Sequence, residues 1–264
     1  MPEVTSHRPG TFCWVDLATK DAEAARRFYT GLFGWDVSEM PTGGGGTYTI
    51  LATGGKAVCG LFAMMPEMLE QGVPPHWQSY VSVEDIDTSA ERAAQLGGTV
   101  IAPPFDVTEV GRMAVVEDPI RAALALWQPK QHIGAEVIRE PNTLCWNELC
   151  TTDLDAASKF YAELFGWVVK KMKGAKGQEY TEFQLEGRSV AGMLEIQEEW
   201  GPMPPSWGVY FAVEDCDGSL ERARSLGARA EMPPMEVEDV GRFAVLQDPQ
   251  GAHFAVIQMY MPMG

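Results

Sequence analysis

The chain is written twice, and that repetition constrains its fold more than any other feature. GTFCWVDLATKDAEAARRFYTGLFGW, from Gly10, returns as NTLCWNELCTTDLDAASKFYAELFGW from Asn142. PPHWQSYVSVEDID, from Pro74, returns as PPSWGVYFAVEDCD from Pro204. PPFDVTEVGRMAVVEDP, from Pro103, returns as PPMEVEDVGRFAVLQDP from Pro233. A repeat of domain length predicts two homologous domains rather than a solenoid of short units. The division expected is a first domain over residues 1–130, a polar linker over 131–141 and a second domain over 142–264.

Each half divides again. Phe12–Ala18 alternates and is bulky, as a strand requires. Asp21 can cap a helix from Ala22 to Phe33, with Ala25, Phe28, Tyr29 and Leu32 at helical spacing and Gly34 to end it. Strands are expected at Trp35–Met40, Thr47–Ala52 and Ala57–Ala63. The next quarter repeats the order, with a strand at Gln78–Val83, a helix at Thr88–Leu96 and strands near Thr99–Ala102, Arg112–Glu117 and Ala123–Trp127. Helices at Leu154–Phe165 and Gly218–Leu226 continue it. The class is α+β, built from four βαβββ units, two per domain. Gly43–Gly46 reads as a flexible loop, and Met64–Leu69 as a connection between units.

Charge and composition narrow the function. Acidic residues number 37 against 20 basic, a net charge of −17, and such a field repels nucleic acid. No run approaches the ~20 apolar residues that span a bilayer, and Met1–Gly10 carries no apolar signal core. The five cysteines form no CxxC pair, which fits buried thiols in a reducing compartment. A cytoplasmic protein without nucleic-acid or membrane partners is expected, as a monomer or homodimer.

FYTGLFGW at Phe28–Trp35, FYAELFGW at Phe160–Trp167, VEDID and VEDCD before a helix, and DPQGAHFAV at Asp248–Val256 resemble the signatures of the vicinal oxygen chelate superfamily. That family includes glyoxalase I, bleomycin-resistance proteins and extradiol dioxygenases, and the whole chain is similar to its tandem two-domain members. The resemblance implies that paired units curve around a small-molecule cavity. The first copy departs at Ile120 and Ala122, where the second reads Gln250 and Gly251–Ala252, so its DPxG turn looks degraded.

The resemblance also implies a divalent metal, held by a His or Gln on the first strand of each unit and a Glu on the last. Counted back from the helix caps, the first-strand positions are Trp14, Gln78, Trp146 and Gly208. The last-strand positions are Ala125 and Ala255, with Gly60 and Gly192 in the other two units. Only Gln78 among these is a ligand type, and one neutral amide does not hold a divalent ion. No cofactor is therefore expected, a divalent metal being the alternative. His76 and His253 lie two residues from expected ligand positions and read as rim histidines or as a base in one domain.

The sharpest feature is an acid at one place in both copies. Alternation puts Val15 and Leu17 on the helix and Trp14, Asp16 and Ala18 in the cavity; the second copy has Trp146, Glu148 and Cys150. Asp16 and Glu148 are the catalytic candidates, as ligand acceptors or as general bases with raised pKa; a structural acid paired with an arginine or with backbone is the other reading. Tyr48 and Tyr180, Trp77 and Trp207, and Arg112 and Arg242 complete the ligand-binding candidates with Trp14, Trp146, Gln78, His76 and His253. Aromatic walls with few polar groups suit a flat organic ligand. The function expected is binding of a small metabolite without the family metal, by sequestration or by acid/base chemistry; the alternative is a metal-dependent glyoxalase-type lyase or a dioxygenase.

Overall fold

Four aspartates start four of the helices. Asp21, Asp85, Asp153 and Asp215 each accept a hydrogen bond on the side chain from the backbone N–H three residues on, satisfying one of the donors that a helix start leaves free. The computed structural model of the chain describes residues 3–42, 46–174 and 179–260. Most of the Gly43–Gly46 loop lies outside the described residues.

The first half runs β1 (Phe12–Thr19), α1 (Ala22–Phe33), β2 (Asp36–Pro41), β3 (Thr47–Thr53), β4 (Lys56–Ala63), α2 (Pro66–Glu70), β5 (His76–Ser82), α3 (Ile86–Gln95), β6 (Thr99–Val107), β7 (Gly111–Glu117) and β8 (Ala123–Pro129). The second runs β9 (Leu144–Thr151), α4 (Leu154–Phe165), β10 (Val168–Lys173), β11 (Glu179–Leu185), β12 (Arg188–Glu195), β13 (Ser206–Ala212), α5 (Cys216–Ser225), β14 (Arg229–Ala230), β15 (Met235–Val237), β16 (Gly241–Gln247) and β17 (His253–Met259). The four βαβββ units of an α+β fold are present.

Local chemistry moves several boundaries. The caps at Asp85 and Asp215 start α3 and α5 two residues earlier than the expected Thr88 and Gly218. β6 continues through Pro103 and Pro104 to Val107 with an irregular register. It is an edge strand, where a missing N–H costs no ladder bond. The Met64–Leu69 connection contains a short helix with proline in its first turn.

Each half forms one curved sheet. The orders are β2-β3-β4-β1-β5-β8-β7-β6 and β10-β11-β12-β9-β13-β17-β16-β14, with β15 on β16. The central strands β1 and β5, like β9 and β13, are antiparallel neighbours.

The helices cover the convex faces, and the interior is shared crosswise between the halves. Phe28, Tyr29 and Phe33 of α1 pack in one core with Phe211, Leu220, Leu246 and Phe254 of the second half. Phe160 and Tyr161 of α4 pack with Val81, Ile86, Val116 and Leu124 of the first. The first unit thus shares its core with the fourth, and the second with the third.

Two buried hydrogen bonds pin these seams. Tyr29 donates to Asp248 at 2.9 Å and Tyr161 to Asp118 at 3.0 Å. These aspartates belong to the DPxG turns. Asp248 Oδ1 accepts from the backbone of Gln250, Gly251 and Ala252. Asp118 Oδ1 does the same for Ile120 and Ala122. The first copy therefore keeps its turn despite the departures, because Arg121 takes the left-handed conformation (φ 78°) that Gly251 takes in the second (φ 105°).

Candidate functional site

Strand alternation sorts β1 as a period of two requires. Val15 and Leu17 lie in the helix-side core. Trp14 lies in a separate cluster with Tyr80 and Trp127, flanked by Tyr48 and Met113, on the concave side. Asp16 belongs with it. Its Oδ2 accepts from the Tyr48 hydroxyl at 2.9 Å and from the Tyr80 hydroxyl at 2.9 Å. Trp14 Nε1 donates to the Tyr48 oxygen at 2.8 Å, completing the chain of bonds. Asp16 Oδ1 is buried and meets no hydrogen-bond partner among the described residues.

The second half repeats the arrangement around a longer acid. Tyr180 donates to Glu148 Oε2 at 2.9 Å, Tyr210 to Oε1 at 2.6 Å, and Trp146 Nε1 to the Tyr180 oxygen at 3.0 Å. Here each carboxylate oxygen has its own phenol. The acids take phenols from β3 and β5, or β11 and β13, rather than an arginine.

Burial dominates the electrostatics. It lifts the Asp16 carboxyl from 3.8 to about 7, with the two phenol donors pulling partly back. Glu148 is raised for the same reason against the same opposition. Burial and the neighbouring acid hold Tyr48, Tyr80, Tyr180 and Tyr210 well above the ordinary phenol range, so they stay donors.

Tyr80 and Tyr210 were not among the residues expected from sequence. They follow Gln78 and Gly208 by two residues, and a period of two carried one step further along the strand finds them. Register places the positions counted from the helix caps on antiparallel neighbours. Asp16 stands opposite Gln78 and beside Gly60, whereas Trp14 stands opposite Tyr80. Both positions lie seven residues before their caps, Asp21 and Asp85; because β1 and β5 run antiparallel, Trp14 and Gln78 are equivalent in the repeat yet stand in different rows.

The other candidates fall elsewhere. Trp77 and Trp207 point to the helix side, where their indole N–H groups donate to Tyr29 at 3.0 Å and Tyr161 at 2.9 Å. Neighbours on a strand face opposite ways, so Trp77 and Gln78 cannot both line one hollow. Arg112 is held by Asp87, and Arg242 by Asp217, at the starts of α3 and α5. His76 bonds the Pro74 carbonyl at 2.9 Å, and exposed His253 lies beside Gln247 and Glu231.

The linker crosses the first hollow. The His132 ring stands edge-on to Trp14 at 4.6 Å, and its carbonyl accepts from Trp127 Nε1 at 2.9 Å. Ala135 N donates to Cys13 O at 2.7 Å and Glu136 N to Ala57 O at 2.8 Å. His7, from the N-terminal segment, reaches the Ala135 carbonyl at 2.7 Å.

The residues in the hollows do not suit the family's divalent ion. Among the described residues no group of three His, Cys, Asp or Glu converges. Each acid is already the acceptor for two phenols, and the last-strand position beside it is a glycine. A Cβ on Gly60 would overlap the Tyr48 hydroxyl, and one on Gly192 that of Tyr180. The phenol occupies the space a ligating side chain would enter.

Comparison with known proteins places this geometry. The model of the glyoxalase/bleomycin resistance protein/dioxygenase superfamily matches residues 11–126 and again 142–256. The chain belongs to that superfamily. CFP32 of Mycobacterium tuberculosis, whose name carries the word glyoxylase, is 41% identical over 259 residues, 98% of each chain. The anthracycline biosynthesis protein DnrV of Streptomyces peucetius is 36% identical over 266 residues, 97% of this chain and 96% of its own. Among solved structures, the Mn(II)-bound glyoxalase of Novosphingobium aromaticivorans superimposes with a TM-score of 0.65 at 14% identity, covering 95% of this chain and 82% of its own. An extradiol ring-cleaving dioxygenase from B. fuscum gives 0.66 at 17% identity, over 100% of this chain and 76% of its own. At such identities these two superfamily members share the fold. No described helix is long and apolar enough to cross a membrane.

Proposed function

We propose that the protein binds a small, flat, oxygenated organic molecule on the concave side of a sheet, using a carboxyl clamped by phenols in place of the family's metal. The observation that carries this reading is the Trp–Tyr–acid–Tyr chain of hydrogen bonds, formed around Asp16 and formed again around Glu148. Two copies with different acids converged on the same donors, which supports a role for the carboxyl itself.

The chemistry follows from the environment. A carboxyl so raised, as Asp16 is to about 7, exchanges its proton near neutral pH, and in a hollow that admits ligand such a group can give or accept a proton from a ligand hydroxyl. Glu148 is shifted in the same direction. The tyrosines, held protonated, orient the acid and present ring faces to the ligand. Metal-free acid/base chemistry and plain sequestration both use this arrangement. Each hollow comes from one chain, so the reading needs no second copy.

The kinship with an anthracycline biosynthesis protein suggests the probe. Quinizarin (1,4-dihydroxyanthraquinone) should quench tryptophan emission saturably in metal-free buffer. Asp16→Asn with Glu148→Gln should remove turnover or binding of such a molecule. Saturable binding that appears only after stoichiometric Mn2+ is added would favour a metal-dependent lyase or dioxygenase instead.

A further inference from the structure

The two hollows are not equivalent, and we propose that the second alone receives ligand, taking a planar aromatic ring that carries a protonated amine. This rests on the reading that a small organic molecule binds on a concave face.

The first hollow is closed by the chain's own linker. Trp14, Asp16 and Tyr80 keep only 4%, 3% and 6% of their surface. His132 lies against Trp14 and Trp127, and the bonds from Ala135 and Glu136 to β1 and β4 tie the segment down. A ligand would have to displace all of these. In the second hollow Trp146, Glu148, Cys150, Tyr180 and Tyr210 all retain partial exposure.

Substitutions between the copies put smaller side chains and a second acid on the second hollow's face. Ile257 replaces the indole of Trp127, and Gly208 replaces Gln78. Glu182 replaces Ile50, a residue packed in the first hollow's apolar cluster. Register puts Glu182, Gly192, Glu148 and Gly208 in one row across β11, β12, β9 and β13. The two acids are two strands apart, roughly 10 Å at the usual spacing. Glu182 accepts from the Gln184 side chain and stands opposite Lys170, whose Nζ lies at 4.0 Å; Arg242 is held by Asp217 instead. Two carboxylates, the faces of Trp146, Tyr180 and Tyr210, and glycines underneath suit a flat cation. Each Glu148 oxygen accepts one phenol and retains a lone pair for an ammonium N–H.

The test uses 9-aminoacridine and acridine-9-carboxylate, rings of one size and opposite charge, titrated by fluorescence into the full chain. The amine should saturate at one probe per chain and bind roughly tenfold or more tightly than the carboxylate. Gly208→Gln restores the first hollow's residue at a site where the added Cβ meets nothing nearer than the Glu148 carbonyl oxygen at 3.6 Å. That variant and Glu182→Gln should each weaken the amine by roughly tenfold while melting stays cooperative. Two probes per chain, equal or stronger binding of the carboxylate, or indifference to Gly208→Gln overturns the inference. If quinizarin saturates and the amine does not, the amine class falls while the reading of a ring-binding hollow stands. If no planar probe saturates, both fall.

Discussion

Tyr48 fills the space that a side chain on Gly60 would need: a Cβ built there overlaps the phenol oxygen and ring. The glycine and the tyrosine are therefore one feature, and Gly192 with Tyr180 repeats it. Gly60→Ala should destabilise the protein by about 2 kcal/mol, within the range for overpacked sites. Adding Tyr48→Ala should recover part of that loss. Urea unfolding of the two single variants and the double should show a coupling energy of opposite sign to the single effects.

The Asp16 carboxyl makes stability fall as pH rises. Its folded pKa, about 7, lies above the unfolded 3.8, so between these values the folded state holds more protons than the unfolded one. Stability is therefore greatest at the acid end of this window and declines until pH passes 7. The contribution has an upper bound of ~4 kcal/mol at 1.36 kcal/mol per pH unit. Asp16→Asn should flatten that slope, read from urea midpoints at pH 5 and pH 8. A variant that loses stability in parallel with the wild type would show that the carboxyl titrates normally.

Tyr29→Phe should cost about 1–3 kcal/mol, because it strips a buried donor from Asp248 and an acceptor from the Trp77 indole. Tyr161→Phe should do the same through Asp118 and Trp207. Since the cores are shared crosswise, wild type and variants should melt in one transition. Two separated transitions by calorimetry would show halves that fold independently.

Divalent metal should leave the melting temperature unchanged. A site a hundredfold saturated by Mn2+, Ni2+ or Zn2+ would add about 2.7 kcal/mol, a rise easily read by thermal denaturation. Such a rise, abolished by Glu148→Gln or Asp16→Asn, would return the family's ion to the hollow.

Much of this architecture was written in local pattern. Phe28, Tyr29 and Leu32 at helical spacing after Asp21 gave α1, and alternation along β1 put Trp14 and Asp16 on one face. Non-local facts were harder to read. The phenols of Tyr48 and Tyr80 reach Asp16 from strands 32 and 64 residues away in sequence, and nothing near Asp16 announces them. Its aromatic ring makes Trp77 a candidate cavity wall, but strand parity commits it to Tyr29 and the helix side. Arg112, a ligand-binding candidate by sequence, stands at a helix start beside Asp87. The linker's passage across Trp14 was invisible because His132 belongs to no periodic segment.

The crosswise pairing of units has an evolutionary consequence. A gene that lost either copy would leave two convex faces bare, so the duplication is hard to reverse once made. The concave faces take no part in those shared interiors, and mutation there meets a lower folding constraint. One copy was thus free to be crossed by its own tether, while its sister took glycine in place of Gln78 and glutamate in place of Ile50.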